Sequence, residues 1–291
     1  MFALARLPLP VPEEYWGFTY PTYRPLLSSS REIVAIGVQQ KGAGVGLGLA
    51  RVDEAQRRAE LLSIAVAPAF RREGIGTAIL AQLEEELRGR CGRVDAVYTD
   101  GTPSSAAVTR ILQKCGWEPI RHRMMICRTQ LDLLLSAPWM QKSYLPPAFS
   151  IFPWCTLTPE EESDVRAQRY VQYAEPLSPF VDSENIEKDT SLGLRYEGKV
   201  VGWIITHLVS ADTLRVTRMW VRSDLQKRGR AVSLISESMK RYKQGMGDSA
   251  PNGIFDVHVE NRPMMEFARR RLAPYLTGTC FSYGTSKVLS A

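Results

Sequence analysis

The segment "AVAPAFRREGIGTAIL", from Ala65 to Leu80, holds the residues whose types and spacing are best suited to chemistry. It reads as the end of an apolar strand, then a proline, two arginines and two glycines, and then the start of a helix. Glycine has no Cβ, so another group can approach its backbone closely. A helix N-terminus presents unpaired N–H donors and the positive end of the helix dipole, and both favour an anion. The spacing of Arg71, Gly74 and Gly76 therefore predicts an anion-binding turn.

The same turn recurs in the second half of the chain, as part of a longer internal repeat. The counterparts of the arginine and the two glycines are Gln226, Gly229 and Ala231. Two further pairs of segments match, and they are Ile36–Ala50 with Leu192–Thr206 and Ser105–Trp117 with Asn261–Ala273. All three matches are 155 or 156 positions apart, so a tandem duplication explains them better than chance does.

Each copy shows the same order of elements: a hairpin, a strand, a helix, a strand, a helix and a strand. The helix after the first turn carries an apolar stripe typical of a core-facing helix, made of Ile75, Ile79, Leu83 and Leu87. Between the copies lies a proline- and serine-containing stretch typical of a connector. We therefore expect an N-terminal domain over residues 1–130, a linker over 131–150 and a C-terminal domain over 151–291, with the boundary near residue 145.

The composition indicates a globular protein, and its basic excess fits either an anionic ligand or simply a solvated surface. The chain has 291 residues, of which 44% are hydrophobic and 23% charged, and its net charge is +6. The arginine runs at 121–123 and 269–271 are not interleaved with aromatic residues, so nucleic-acid binding is not expected. The five cysteines and three histidines lack metal-ligand spacing, so we expect reduced thiols and no metal.

The N-terminal residues do not form a signal peptide, because prolines and acidic residues interrupt the apolar stretch. No apolar run approaches the roughly 20 residues that a membrane span needs. These features predict a cytoplasmic protein without a membrane partner.

The first copy resembles the GNAT superfamily of acyl-CoA-dependent N-acyltransferases. Its turn is similar to motif A of that family, a strand with V-x-P followed by [RQ]-x-x-G-x-[GA] opening a helix; the matching residues are Glu60, Val66, Pro68, Arg71, Gly74 and Gly76. Ser105–Trp117 resembles the later motif N-x-x-A-x-x-L-Y-x-x-x-G-F, in its closing glycine and aromatic residue above all. The resemblance occurs once in each half and together covers nearly the whole chain, and it is weaker in the second copy. It implies an α/β protein of two tandem GNAT-like domains, each a mixed, largely antiparallel sheet flanked by helices.

The resemblance implies that the anion is the pyrophosphate of acetyl-CoA or a longer acyl-CoA, which serves as co-substrate. In the first copy the residues implied to bind it are Val66, Arg71, Arg72, Glu73, Gly74, Ile75, Gly76 and Thr77. In the second copy they are Gln226, Gly229 and Ala231. In the family the motif strand also separates from its neighbour at a bulge, a position that Val66 and its neighbours occupy here. The N–H of Ile64 falls where the family polarises the thioester carbonyl.

Glu60 is the candidate general base, because several family members carry their base on this strand and the attacking amine must be neutral. Strict alternation along the strand places Glu60, Leu62, Ile64 and Val66 on one face, so the carboxylate would share the side of the thioester. The alternative is a surface charge at the end of a strand. The family usually works by direct attack in a ternary complex.

The proton donor for the leaving thiolate is not evident, because the family's tyrosine is replaced by Leu112 and, in the second copy, by Ala268. Tyr98, Tyr275 and Tyr283 are candidates without support from their positions, since each fits a packing or surface role, and solvent is the alternative donor. In the second copy Arg215 replaces the glutamate and cannot act as a base. His207, at the end of its strand, is a candidate base there or simply a hydrogen-bonded side chain.

The resemblance implies N-acyl transfer to a primary amine of a small molecule or a peptide. Two alternatives are fatty acylation of a lysine or ornithine side chain in a ribosomal peptide, and a non-catalytic pseudoenzyme that binds CoA. The turn is better preserved in the first copy, so we expect CoA there. The acyl chain, the acceptor and the oligomeric state stay open.

Overall fold

The computed structural model describes residues 2–289. Its strands are β1 (Ala3–Arg6), β2 (Ile33–Gln40), β3 (Ala43–Asp53), β4 (Arg58–Val66), β5 (Arg93–Thr99), β6 (Arg121–Gln130), β7 (Phe149–Pro153), β8 (Leu192–Tyr196), β9 (Lys199–Ser210), β10 (Thr213–Val221), β11 (Asn252–His258) and β12 (Gly278–Val288). Its α-helices are α1 (Leu26–Ser29), α2 (Ile75–Leu87), α3 (Ser105–Lys114), α4 (Leu131–Leu135), α5 (Pro159–Ala167), α6 (Arg230–Gly245) and α7 (Arg262–Phe267). Short 3-10 segments connect several of them. The chain forms two compact units: residues 2–123 with 281–289, called the first unit, and residues 124–280, called the second unit.

The first unit contains a sheet with the strand order β1-β2-β3-β4-β5-β12. Strands β4 and β5 run parallel, and the other neighbours are antiparallel. The last strand of this sheet therefore comes from the C-terminal end of the chain. The mixed, largely antiparallel sheet that the sequence predicts is present.

The second unit repeats this arrangement with the order β7-β8-β9-β10-β11-β6. Here β10 and β11 are the parallel pair, and the other described pairs are antiparallel. Strand β6 belongs to the first copy of the sequence repeat, so each compact unit takes its last strand from the other copy. The sequence boundary near residue 145 concerns the repeat, not these units, and it stays a prediction.

Both predicted hairpins form, and their turns explain the glycines within them. The β2–β3 turn is Lys41–Gly42, with φ angles of 51° and 82°. The β8–β9 turn is Glu197–Gly198, with φ angles of 50° and 79°. Two consecutive positive φ angles define the type I′ turn, whose twist matches that of antiparallel strands, and glycine adopts this conformation without strain.

Helix α2 packs its apolar stripe against one face of the first sheet, as its spacing predicts. The buried residues of this layer include Ile75, Ile79, Leu83 and Leu87, together with Leu112 of α3. The opposite face is covered by α1 and the N-terminal 3-10 segments, and its buried core includes Tyr15, Leu27 and Leu62. The sheet therefore has a helix face, which α2 and α3 cover, and an N-terminal face.

A buried polar network holds β12 in the first unit. The Glu84 carboxylate on α2 is buried and accepts a hydrogen bond from Trp117 Nε1 at 2.7 Å. The ammonium group of Lys287 on β12 donates to the other oxygen of Glu84 and to the carbonyl of Cys115. A buried carboxylate needs such partners, and β12 supplies one of them through Lys287. Strand β12 is therefore part of the core of the first unit.

Candidate active site

A β-bulge interrupts β4 in the middle of the motif strand. Leu49 of β3 pairs with Ser63, and the next residue of β3, Ala50, pairs with Leu61. Leu62 therefore has no partner on β3. A bulge of this kind puts one extra residue into the strand, so the alternation of side chains shifts after it.

The bulge corrects the prediction that Glu60, Leu62, Ile64 and Val66 share one face. Ile64 and Val66 pack on the helix face of the sheet, whereas Leu62 packs on the N-terminal face. Glu60 lies two residues before Leu62 and therefore shares the N-terminal face with it. The carboxylate and the Ile64 side chain are on opposite faces. The bulge also lies at Leu62, four residues before the position expected for it at Val66.

Strands β4 and β5 separate directly after this point. Their parallel ladder runs from Arg58–Arg93 to Leu61–Ala96 and then ends, although β4 continues to Val66 and β5 to Thr99. Within the described residues, the backbone groups of 62–66 that point towards β5 thus have no strand partner. Such a gap can receive an extended ligand that hydrogen-bonds along a strand edge.

The turn after β4 is open. Gly74 is the residue before α2 and has φ +81°, a conformation that favours glycine. Among the described residues, no heavy atom outside Gly74, its chain neighbours and the adjoining helix backbone lies within 4 Å of the position that a Cβ of Gly74 would take. Arg71 and Arg72 are exposed beside it, and the first N–H groups of α2 follow. The turn has free space, positive charge and backbone donors, which together suit an anion.

Arg71 also stabilises the turn. Its Nε donates a hydrogen bond to the Val66 carbonyl at 3.1 Å and so connects the turn to the end of β4. In the second unit Gln226 Nε2 donates to the Val221 carbonyl at 2.6 Å. The positions that the motif reserves for arginine or glutamine therefore make the same bond in both copies.

The second turn, unlike the first, is filled by the chain's own residues. Gly229 precedes α6 and has φ +79°, but a Cβ added there would overlap the ring of Tyr144. The Tyr144 N–H donates to Ser233 Oγ at 3.1 Å, which holds this segment over the first turn of α6. Arg230, the first residue of α6, has its guanidinium carbon 5.1 Å from the centre of the Phe149 ring. Ala231 follows it in the helix.

The strands of the second unit nevertheless keep the shape of the first. Thr217 has no partner on β9, because Val216 pairs with Thr206 and Arg218 pairs with Ile205. The parallel ladder between β10 and β11 ends at Val216, while β10 continues to Val221. The bulge and the gap are thus properties of both copies.

Glu60 forms an ion pair on the N-terminal face. It lies opposite Arg51 of β3, and Arg51 Nη2 is 2.7 Å from Glu60 Oε2. The two side chains are 49% and 42% exposed, so solvent and a ligand can reach both. Glu60 also lies one pair before the last rung of the β4–β5 ladder, directly beside the gap.

His207 occupies the position of Arg51 in the second unit. It lies within β9, which continues to Ser210, and not at the strand end that the sequence suggested. Its Nδ1 is 3.0 Å from Thr217 Oγ1, and its Nε2 donates to the Asp182 carbonyl at 3.2 Å. Both ring nitrogens of the histidine are therefore hydrogen-bonded within the unit.

Arg215, which lies opposite His207, forms an ion pair with Asp256.

Of the three candidate tyrosines, Tyr98 and Tyr283 lie next to each other, with ring centres 5.5 Å apart. Leu112, at the family's tyrosine position, is buried in the core. Tyr98 lies on β5 beyond the last rung, on the helix face, and its hydroxyl is 2.8 Å from Thr109 Oγ1 of α3.

Tyr283 on β12 donates to Asp100 at 3.3 Å, and its pKa is raised by burial and then by the Asp100 carboxylate. Tyr275 lies in the second unit, with its ring 6.1 Å from that of Trp139.

The model of the acetyltransferase (GNAT) family matches residues 3–117 and 151–273. The chain belongs to the GNAT family. It is a GNAT-type N-acyltransferase, and enzymes of this family use acetyl-CoA or another acyl-CoA as co-substrate. No curated protein matches its sequence.

Solved GNAT structures share the fold over the whole chain. A tandem GNAT protein from the clavulanic acid biosynthesis pathway is 14% identical with a TM-score of 0.70, covering 100% of this chain and 99% of that one. A GCN5-related N-acetyltransferase from Sphaerobacter thermophilus is 17% identical with a TM-score of 0.68, covering 100% and 96%. At these identities the likeness concerns the fold, and it confirms the tandem arrangement of two GNAT-like domains.

Several residues that shape this GNAT site were not identified from the sequence. Arg51 could have been found, because pairing β3 with β4 outward from their turn at Asp53–Arg58 places it opposite Glu60. Tyr144 carries no motif or spacing that would single it out, and Thr109 stands at a variable position of the Ser105–Trp117 motif. Within residues 2–289, no helix is long and apolar enough to cross a membrane. In the same range, no three His, Cys, Asp or Glu side chains are grouped to hold a metal ion.

Proposed function

We propose that the first unit is the catalytic one and that it transfers an acyl group from acyl-CoA to a primary amine by direct attack in a ternary complex. The observation that carries this proposal is the contrast between the two turns. The turn at Gly74 has open space, whereas Tyr144 fills the turn at Gly229. A diphosphate needs close access to the backbone, and only the first turn offers it among the described residues.

In this proposal the turn of the first unit holds the diphosphate of CoA. The N–H groups of Arg72 to Gly76 donate to it, and the helix dipole adds favourable potential. Arg71 and Arg72 supply charge, and Thr77 lies in the first turn of α2. Glu73 contributes its backbone N–H, and its exposed carboxylate has no role in the proposal.

The gap between β4 and β5 would receive the pantetheine arm. Unpaired backbone groups of β4 between the bulge and Val66 can hydrogen-bond to its amides, whereas the Val66 carbonyl already accepts from Arg71. The N–H of Ile64 lies just after the bulge, where it can donate to the thioester carbonyl as negative charge develops. The thioester supplies an activated acyl carbon, and the amine N–C bond forms as the C–S bond breaks.

Glu60 takes the proton that the attacking nitrogen must lose. It lies on the N-terminal face, beside the gap, so the acceptor approaches from that face while the CoA-binding turn is formed with α2 on the other. The proton donor in the first unit is Tyr98, whose Oη would give its proton to the leaving sulfur. Its place on β5 beyond the last rung and its contact with Thr109 bring a phenol to the helix that carries the tyrosine in other members.

The second unit, in our proposal, binds no CoA. Gln226, Gly229 and Ala231 keep the form of the motif, but the Tyr144 ring takes the space over the turn. His207 then has no thioester or amine to act on, and it stabilises the pairing of β9 with β10 instead. The second unit would act as a partner domain whose motif has lost access to its ligand.

The test is release of free thiol from acetyl-, octanoyl- and palmitoyl-CoA with a panel of amines, amino acids and a lysine-containing peptide, together with calorimetric titration of CoA. Turnover of at least one acyl-CoA with one of the amines, and detection of the corresponding amide by mass spectrometry, would support the proposal. Tight CoA binding without turnover under any pair would indicate the pseudoenzyme instead. A chain that binds no CoA would overturn the proposal.

A further inference from the structure

The Arg51–Glu60 pair lies where the acceptor must arrive, and its chemistry bears on what the acceptor carries. The two residues face each other across β3 and β4, and about half of each side chain is exposed. An ion pair with this exposure contributes little to stability, so a ligand can separate it at little cost. Each partner is then available for an opposite charge.

The pair lies directly before the gap. Glu60 is followed by the last rung, Leu61–Ala96, and then the strands separate. Asp95, the neighbour of Glu60 on β5, pairs with Arg93, with Arg93 Nε 2.9 Å from its Oδ1, and Arg93 Nη2 also donates to Ser286 Oγ at 2.7 Å.

Two tyrosines lie on the same face of the sheet as the pair. Tyr23 packs against the buried cluster that contains Leu62, and its pKa is raised by burial first and then by the Glu60 carboxylate. Tyr20 packs edge-on against Tyr23, with ring centres 6.0 Å apart. Aromatic faces beside a carboxylate suit an organic ammonium ion.

The fold does not need this pair. The second unit builds the same bulge and the same gap with His207 and Arg215 at these two positions. Arg215 there pairs with Asp256, on a different strand. A cation and an anion opposite each other beside the gap are therefore a feature of the unit with the open turn, which suggests a role in binding.

We propose that the acceptor carries a carboxylate on the carbon that bears its amine, as free α-amino acids do. This inference rests on the proposed function. The ammonium group binds Glu60 and loses a proton to it, and the acceptor's carboxylate takes the place of Glu60 on the Arg51 guanidinium. The carboxylate is unchanged in the reaction, and the product is the N-acyl amino acid together with free CoA.

The experiment compares acceptors that differ only in this carboxylate: lysine with cadaverine, and phenylalanine with phenethylamine. With acetyl- and octanoyl-CoA, we expect kcat/KM to favour the amino acid by about 10- to 100-fold, the range of one charge-assisted hydrogen-bonded pair. In Arg51→Gln this ratio falls to about one, and in Arg51→Lys it falls only partly. The matched control is Arg57→Gln, which removes an exposed cation from the same hairpin and keeps the ratio.

Turnover without preference for the amino acid would overturn the inference, as would an unchanged ratio in Arg51→Gln. If no acceptor of the panel turns over, calorimetry decides, with the twenty amino acids and ornithine titrated into the chain saturated with CoA. Binding that Arg51→Gln abolishes supports the inference, and absence of binding overturns it. A chain that binds no CoA contradicts the proposed function itself, which is a different result from failure of the acceptor.

Discussion

At the scale of single residues, the role proposed for Glu60 follows from three positions: opposite Arg51, beside the gap, and on the face opposite Ile64. A carboxylate there can take a proton from an amine approaching through the N-terminal face. Strict alternation along β4 would have put it beside the Ile64 side chain, and the bulge at Leu62 prevents this.

We expect Glu60→Gln to lower kcat by about 100-fold near neutral pH, because an amide cannot take the proton. The loss becomes smaller as the pH rises, since more of the amine is then neutral before it binds. Thiol release between pH 7 and 9 measures this. The free energy of unfolding changes by no more than about 1 kcal/mol, because the ion pair is exposed. An unchanged kcat across this pH range would exclude Glu60 as the base.

Removal of the Tyr98 hydroxyl tests the second proton transfer. Tyr98→Phe keeps the ring packed and removes the contact with Thr109. We expect kcat to fall by about 10- to 100-fold, with solvent supplying the remaining activity. Tyr283→Phe is the matched control, because its ring centre is 5.5 Å from that of Tyr98 but its hydroxyl donates to Asp100. Equal losses in both variants would contradict the role given to Tyr98.

At the scale of elements, much of the fold could be predicted from the sequence. The glycines in both hairpin turns and the apolar stripe of α2 reflect local rules, so they can be read without tertiary information. The bulge at Leu62 depends on the pairing of β4 with β3, and no residue type marks it. The contact of Tyr98 with Thr109 of α3 depends on the tertiary fold. Tyr144 reaches Gly229 from a segment that reads as a linker.

Helix α5 of the second unit provides a pH-dependent test of one element. Thr158 and Glu161 form a capping box at its start, and Arg195 of β8 pairs with the Glu161 carboxylate through two hydrogen bonds. The Arg195 hydrogen bonds lower the pKa of Glu161, against the effect of burial. The stabilisation is therefore complete above the unfolded value of about 4.3, and it is lost as the pH falls through the lower folded value.

We expect Glu161→Gln to lower the thermal unfolding midpoint at pH 7, and we expect this difference from the wild type to shrink towards pH 3. The midpoints follow from circular dichroism at several pH values. Glu162→Gln is the control, because Glu162 pairs with Arg166 within the same helix and is more exposed. A difference that stayed constant down to pH 3 would show that the Glu161 charge does not stabilise α5.

At the scale of the whole molecule, the duplication has produced two units with the same strand order and different turns. Strands β6 and β12 are exchanged between the copies, so the repeat in the sequence and the compact units in space have different boundaries. Both units keep the bulge and the gap, which the sheet determines. They differ at Gly74 and Gly229, where one turn is open and the other is covered by Tyr144. Under our proposal, this difference leaves one active site per chain.

The most direct test of this account is calorimetric titration of CoA into the wild type and two charge-reversal variants. Arg72 and Lys227 occupy equivalent places in the two turns, and both are exposed with positive φ angles of 68° and 61°. We predict one CoA per chain, a loss of affinity of about tenfold or more in Arg72→Glu, and no change in Lys227→Glu, because only the first turn holds the diphosphate. Two equal sites per chain, or a loss confined to Lys227→Glu, would contradict the account.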